Sequence, residues 1–354
     1  MRAIEWTGEK VRFLDQTRLP LEELVVTTDD ELVIIDAIKR LAIRGAPLIG
    51  IAAAYALVLA VQRVKHPTEL LPTVERTATL LIATRPTAVN LSWAVQRMKR
   101  KALMLLHHPL SEVRSALLAE AIAIHEEDER MCEAIGQHGA AILPLAATVL
   151  THCNTGALAT GGNGTALALI RTAWEQRTLK HVYIDETRPL LQGARLTAWE
   201  VQRMSIPCTL ITDATAAFLM QRGIVNAVVV GADRITRYGD VANKIGTYGL
   251  AVSAHHHQVP FIVAAPTTTI DPNLERGSQI PIEERSSDEV TYCGGTRIAP
   301  EDIHVYAPAF DITPHELITA IVTERGVASP PFSVSIPCMI GETEGVHRVE
   351  EGAG

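Results

Sequence analysis

The sequence predicts an α/β protein, and two observations carry that reading. Up to about residue 140 the apolar residues recur at helical spacing and strand-like runs are nearly absent. From about residue 145 short β-branched runs alternate with segments of crossover length: AATVLTHC, HVYIDE, CTLITD, NAVVVGAD, PFIVAAP and DIHVYAPAF. Uncharged strands so separated indicate a mainly parallel sheet with helices on both faces, a Rossmann-like arrangement. A chain of 354 residues suits two domains. We place a helical N-terminal domain at 1–140, the Rossmann-like domain at 141–340 and a polar tail at 341–354.

The elements follow in order. RAIEW and VRFLDQ flank the Thr7–Lys10 turn and read as a hairpin. Thr28 and Glu31 have capping-box spacing ahead of an apolar-periodic run through Ile34, Ile38 and Leu41. Helical patterns then cover 47–64, 70–84, 91–106 and 111–137. Between Arg44 and Arg63 no residue is charged. That stretch is alanine-rich and barely long enough for a membrane span, which takes about 20 apolar residues, so it reads as a buried helix.

Composition narrows the function classes. The net charge of −8 disfavours a general nucleic-acid binder. The five widely spaced cysteines contain no CxxC pair, so neither a disulfide framework nor a zinc site is expected. The opening MRAIEWTGEKVRF has no apolar signal core. Together these predict a cytoplasmic protein that binds neither nucleic acid nor membrane.

In a parallel sheet, ligands collect beyond the carboxyl ends of the strands. The first strand ends at Thr151–Gly156, which puts Cys153 where strand meets loop; it is either a buried thiol or a working one. Gly161–Thr165 follows, a phosphate cradle or close packing, and its glycines lack the third member of a dinucleotide fingerprint. The second strand runs into Asp185–Arg195. There Gln192 and an arginine could hold sugar hydroxyls or phosphate, or the charges form a solvated ion network. Asp213, after the third strand, is equally a helix cap.

The fourth strand is the strongest signal. Val228–Val230 leads into Gly231-Ala232-Asp233, and a carboxylate at the mouth of an apolar strand is open to desolvation, which favours its protonated form. Asn243 and Lys244 then supply an amide and an ammonium where the next helix should begin. In the helical part, Arg44, Gly45 and Ala46 precede Pro47 at a helix start, a ready anion site. Arg85 repeats the pattern, and two such arginines favour a phosphate clamp. His255–His257 are consecutive, so a helix splays them away from any common metal. No metal site is expected. Neither a GxSxG nor a Walker loop is present.

These residues fall in longer motifs: AIRGAP at 42–47, RPTAVNL at 85–91, THCNTG at 151–156, ETRPLLQGARLTAWE at 186–200, GADRI at 231–235, GDVANKIGTYGLA at 239–251, IPIEER at 280–285 and PAFDITP at 308–314. In them the chain resembles the methylthioribose-1-phosphate isomerases. That family is related to the regulatory subunits of eukaryotic initiation factor 2B and to ribose-1,5-bisphosphate isomerase. The resemblance implies catalytic roles for Cys153 and Asp233. It implies substrate contacts at Arg44, Gly45, Ala46, Arg85, Gln192, Asn243 and Lys244. It also implies an aldose–ketose isomerase of methionine salvage, acting on a phosphosugar as a homodimer. No redox cofactor is expected, because C1 is reduced as C2 is oxidised. Two departures, Thr236-Arg237-Tyr238 after ADRI and Ala307 before PAFD, leave the preference at the sugar's 5-position open. The competing readings are a non-enzymatic translation-factor-like subunit, a dehydrogenase, and an isomerase of another 5-substituted ribose 1-phosphate.

Overall fold

A computed structural model describes residues 2–86 and 88–341. The expected tail, apart from Gly341, lies outside them. Strands β1 (Ile4–Thr7) and β2 (Lys10–Leu14) form the expected hairpin, and β3 (Val25–Thr28) adds a third antiparallel strand that the sequence reading lacked. Helix α1 (Glu31–Lys39) is capped by Asp30, whose carboxylate accepts the Leu32 N–H at 2.9 Å. Thr28 sits two residues further back, its Oγ1 accepting the Asp30 N–H, so the expected Thr28 cap is corrected to Asp30.

Helix α2 (Ala46–Gln62) explains its own lack of charge. Every residue from Leu48 to Val61 is buried, packed by α1, α3 (Leu70–Thr84), α4 (Val89–Met104) and α5 (Leu110–Ala140). A helix apolar on all sides is a core helix here. No helix among the described residues is long and apolar enough to cross a membrane. Ile34, Ile51, Leu57, Val95 and Leu117 belong to one apolar cluster with the small sheet.

The chain then alternates: β4 (Ala147–Thr151), α6 (Ala166–Glu175), β5 (Leu179–Asp185), α7 (Ala198–Arg203), β6 (Cys208–Ile211), α8 (Thr215–Gln221) and β7 (Ala227–Val230). After β8 (Arg234–Thr236) and β9 (Val241–Lys244) come α9 (Thr247–His256), β10 (Phe261–Ala264) and β11 (Ile270–Asp271). The remainder is α10 (Asp288–Thr291), β12 (Tyr292–Cys293), β13 (Thr296–Arg297), β14 (Phe310–Thr313), β15 (Ala320–Thr323), β16 (Gly326–Ala328) and α11 (Phe332–Ile340).

The main sheet has the order β16-β15-β10-β7-β4-β5-β6 and is parallel except for β16 at one edge. Alternation along β7 fills both faces: Val228 and Val230 enter one apolar cluster, Ala227 and Val229 the other. A second sheet, β11-β8-β9-β14, flanks it. One expected strand is corrected. Residues 302–306 form no strand, and pairing begins at Phe310, against β9. Asn243 and Lys244 likewise lie in β9 rather than at a helix start, with α9 opening three residues later.

From β4 the chain steps outward to β5 and β6, then returns to the other side of β4 with β7. The point of reversal therefore lies between β4 and β7, where open α/β sheets place ligands.

Candidate active site

All nine residues singled out from the sequence line one cavity: Arg44, Gly45, Ala46, Arg85, Cys153, Gln192, Asp233, Asn243 and Lys244. It opens at the reversal between β4 and β7, with the start of α2 facing the strand ends. Cys153 follows β4 by two residues with φ at +64°, a left-handed conformation uncommon for a residue with a Cβ. Its N–H donates to Thr187 Oγ1 at 2.9 Å, and its carbonyl accepts from Thr197 Oγ1 at 2.5 Å. The backbone turn that presents the thiol is thus held from two sides.

Asp233 leaves β7 and is pinned by its own N–H to the Ala242 carbonyl at 2.9 Å. It is partly exposed at the cavity mouth, yet the surrounding protein withdraws enough water to raise its carboxyl pKa. Lys244, Arg85 and Arg44 pull the pKa back, and Glu283 opposes them. Burial wins, which favours the protonated acid.

The cations reach the cavity from both parts of the chain. Gly45, at φ +98°, turns the backbone into α2, and a Cβ there would lie 2.5 Å from the Ala159 backbone, so only glycine fits. The amides of Gly45 and Ala46 stand at the helix's positive end. Arg44 donates to Asn154 Oδ1 at 2.7 Å and to the Asn154 carbonyl at 2.9 Å. Asn154 in turn donates to Glu200 at 2.7 Å. Burial raises the Glu200 pKa against the pull of Asn154 and two backbone amides.

Arg85 pairs with Glu283 at 3.3 Å, and Arg285 takes the other oxygen of Glu283 at 2.7 Å. Burial pushes Glu283 up, but Arg85 and Arg285 outweigh it and hold the carboxyl below its ordinary range. Lys244 donates to the Ala309 carbonyl at 3.0 Å and lies 5.0 Å from the Phe310 ring centre. Gln192 is buried, and its Oε1 has no hydrogen-bond partner among the described residues. A buried acceptor on a cavity wall can take a hydrogen bond from a ligand or a water.

Other open readings are decided by geometry. A Cβ on Gly162 would lie 2.9 Å from Cys132 Cβ and 3.0 Å from Glu129 Cα, so this glycine packs the loop against α5. Arg195 donates to the carbonyls of Gln16 and Leu19, and Arg188 to that of Val290; neither lines the cavity. Asp213 braces the Thr187 and Arg188 amides at 2.7 and 2.8 Å instead of capping α8. The sequence reading missed Asn154, which anchors Arg44, with Glu200 behind it, and Glu283, which engages Arg85, with Arg285 on its other oxygen. Asn154 stood beside Cys153 in the same strand-end motif; Glu200 carries no local signal.

This site, with a thiol, a carboxylic acid whose pKa burial raises and clustered cations at a sheet's reversal point, has the chemistry to suit a small anionic molecule. Comparison with known proteins makes that specific. Residues 42–330 match the Initiation factor 2 subunit family, and the chain belongs to that family, in its methylthioribose-1-phosphate isomerase branch. The methylthioribose-1-phosphate isomerase of Chloroflexus aurantiacus is 51% identical over 95% of this chain and 97% of its own. The solved structure of 5-methylthioribose 1-phosphate isomerase from Pyrococcus horikoshii matches with a TM-score of 0.92 at 44% identity, covering 97% of this chain and 96% of that one. A solved structure described as translation initiation factor eIF-2B, subunit delta, from A. fulgidus matches with a TM-score of 0.87 at 43% identity, covering 96% and 99%.

Proposed function

We propose that this protein is an aldose–ketose isomerase converting 5-methylthioribose 1-phosphate to 5-methylthioribulose 1-phosphate in methionine salvage. The observation that carries the reading is the single cavity shared by Cys153, Asp233 and the cations Arg44, Arg85 and Lys244. A translation-factor subunit has no need of that combination.

The phosphate on O1 prevents the sugar from opening to a free aldehyde, so the C1–O4 bond must break with the phosphate in place. Protonated Asp233 gives its proton to O4 as that bond breaks. Hydrogen then passes from C2 to C1, by proton removal through an enol or by direct hydride transfer, and the O2 proton leaves to restore the acid. Cys153 either relays a proton or assists at O2 or C2. Arg44, Arg85 and Lys244 clamp the phosphate with the Gly45 and Ala46 amides, and Gln192 and Asn243 take sugar hydroxyls. Binding energy from the unreactive phosphate goes into positioning C1 and C2. Electrons balance within the substrate, so the step calls for no redox cofactor.

We place a domain boundary near residue 140, with a helical N-terminal domain and a Rossmann-like catalytic domain. The separate apolar clusters support it. We also propose a homodimer, supported by Phe218 on α8 and Tyr248 and Val252 on the adjoining α9, which are exposed apolar residues. Five free cysteines fit a reducing cytoplasm. The test is steady-state turnover on ribose 1-phosphates differing at C5. Turnover led by the 5-methylthio compound supports the reading; no turnover of any member sinks it in favour of a non-enzymatic subunit.

A further inference from the structure

His152 immediately precedes Cys153 but points away from the cavity floor into the protein, only 1% exposed. Its Nδ1 lies 2.9 Å from Asp185 Oδ2 at the end of β5, and its Nε2 lies 2.9 Å from the Ile245 carbonyl. A carbonyl only accepts, so Nε2 carries a hydrogen and donates. Ile245 follows Lys244 directly, and Gly246 folds over the ring, its missing Cβ position 3.0 Å from His152 Cε1. One imidazole therefore joins the ends of β4, β5 and β9, which otherwise belong to two different sheets.

We infer that His152 is a positioning residue, which tethers the turn bearing Cys153 to the strand bearing Asn243 and Lys244 through its bonds to Asp185 and Ile245. Removing the ring cuts the tie between these two strand ends at the point where thiol and cation face one substrate, while Thr187 and Thr197 still hold the Cys153 backbone. Lys244 keeps its bond to Ala309 and Arg44 its bonds to Asn154, so the anion clamp stays anchored while the turn bearing the thiol loses one of its ties. The kinetic part of this inference rests on the proposed isomerase reading; the thiol part does not.

The test is His152→Leu, read by iodoacetamide alkylation resolved for each cysteine by mass spectrometry and by steady-state kinetics. Cys153 should alkylate at least about fivefold faster, while buried Cys132 on α5 keeps its rate. With the methylthio substrate, kcat should fall at least about tenfold with KM within about threefold. Asp185→Asn can still donate to Nδ1, so its Cys153 rate should stay within about twofold of wild type. If His152→Leu does not fold, His152→Asn, whose short amide cannot reach Asp185 and Ile245 together, is held to the same limits. A Cys153 rate or a kcat within about twofold of wild type in His152→Leu overturns the tether. So does parallel acceleration of Cys132, which marks general loosening. Acceleration in Asp185→Asn to the leucine level overturns it as well, by assigning the effect to charge. If the wild-type chain turns over no sugar phosphate, the isomerase reading fails, and the alkylation arm still decides the tether.

Discussion

Arg44 and Asn154, 110 positions apart in the chain, are joined by two hydrogen bonds: 2.7 Å to the side-chain oxygen and 2.9 Å to the main-chain carbonyl. The pair fixes the start of α2 against the loop that carries Cys153. Asn154→Ala removes the side-chain bond and leaves buried Glu200 without its amide donor. A hydrogen bond to a charged group contributes about 1.5–3 kcal/mol, so KM should rise about tenfold or more with a smaller change in kcat. Steady-state kinetics check this; an unchanged KM would remove Asn154 from the clamp.

Asp233→Asn should lower kcat by about 10²–10⁴-fold, the usual worth of a general acid, while calorimetry still detects binding of a product analogue. Because burial raises the Asp233 pKa, wild-type activity should decline as pH climbs through that raised value. The residual activity of the asparagine variant should lack that limb.

Arg44→Ala and Lys244→Ala should each weaken phosphate binding by about 1.5–3 kcal/mol. Both line the same cavity from opposite sides, and both act on Asp233. Their double variant should depart from additivity, since the two groups meet one ligand. A strictly additive cycle from titration calorimetry would falsify the shared clamp.

Asp128 predicts a pH dependence of stability away from the site. It is buried on α5, accepts the Gly161 N–H at 2.6 Å, and burial pushes its carboxyl up to about 6. The folded chain then holds a proton that the unfolded chain has already lost between about pH 4 and 6, so stability falls as pH rises through that window. Asp128→Asn keeps an acceptor for Gly161 and cannot ionise. Its advantage over wild type should grow by up to about 3 kcal/mol across the window, read by denaturant melts. A constant difference between the two chains would show that Asp128 does not titrate there.

The ends of β4 and β7 were legible because apolar strands announce themselves, and sheet chemistry dictates where ligands sit beyond them. The start of α2 was legible from Arg44 through Pro47. What lay hidden was contact between distant segments. Glu200 looks like an ordinary helical carboxylate until the fold puts Asn154 against it. Strands of two to four residues, such as β3, β8 and β9, are too short for alternation to declare itself, so Lys244 was read as a helix start. The Asp30 cap was obscured by Thr28, whose hydroxyl serves the same turn two residues earlier.

Helix α2 has a consequence for how the chain is made. Its buried stretch, Leu48 to Val61, finds cover from the small N-terminal sheet and from helices that include α4 and α5, and α5 ends at Ala140. At about 5–20 residues per second, synthesis leaves this segment unsheltered for several seconds after it emerges. It is apolar on every face, though too short to cross a membrane, and during that interval its surface is open to chaperones. Chaperone crosslinking to stalled nascent chains should therefore be strongest with α2 emerged and α5 still in the ribosome, and fall once Ala140 clears the exit. Crosslinking that is flat with chain length would mean that α1 and α3 alone are shelter enough.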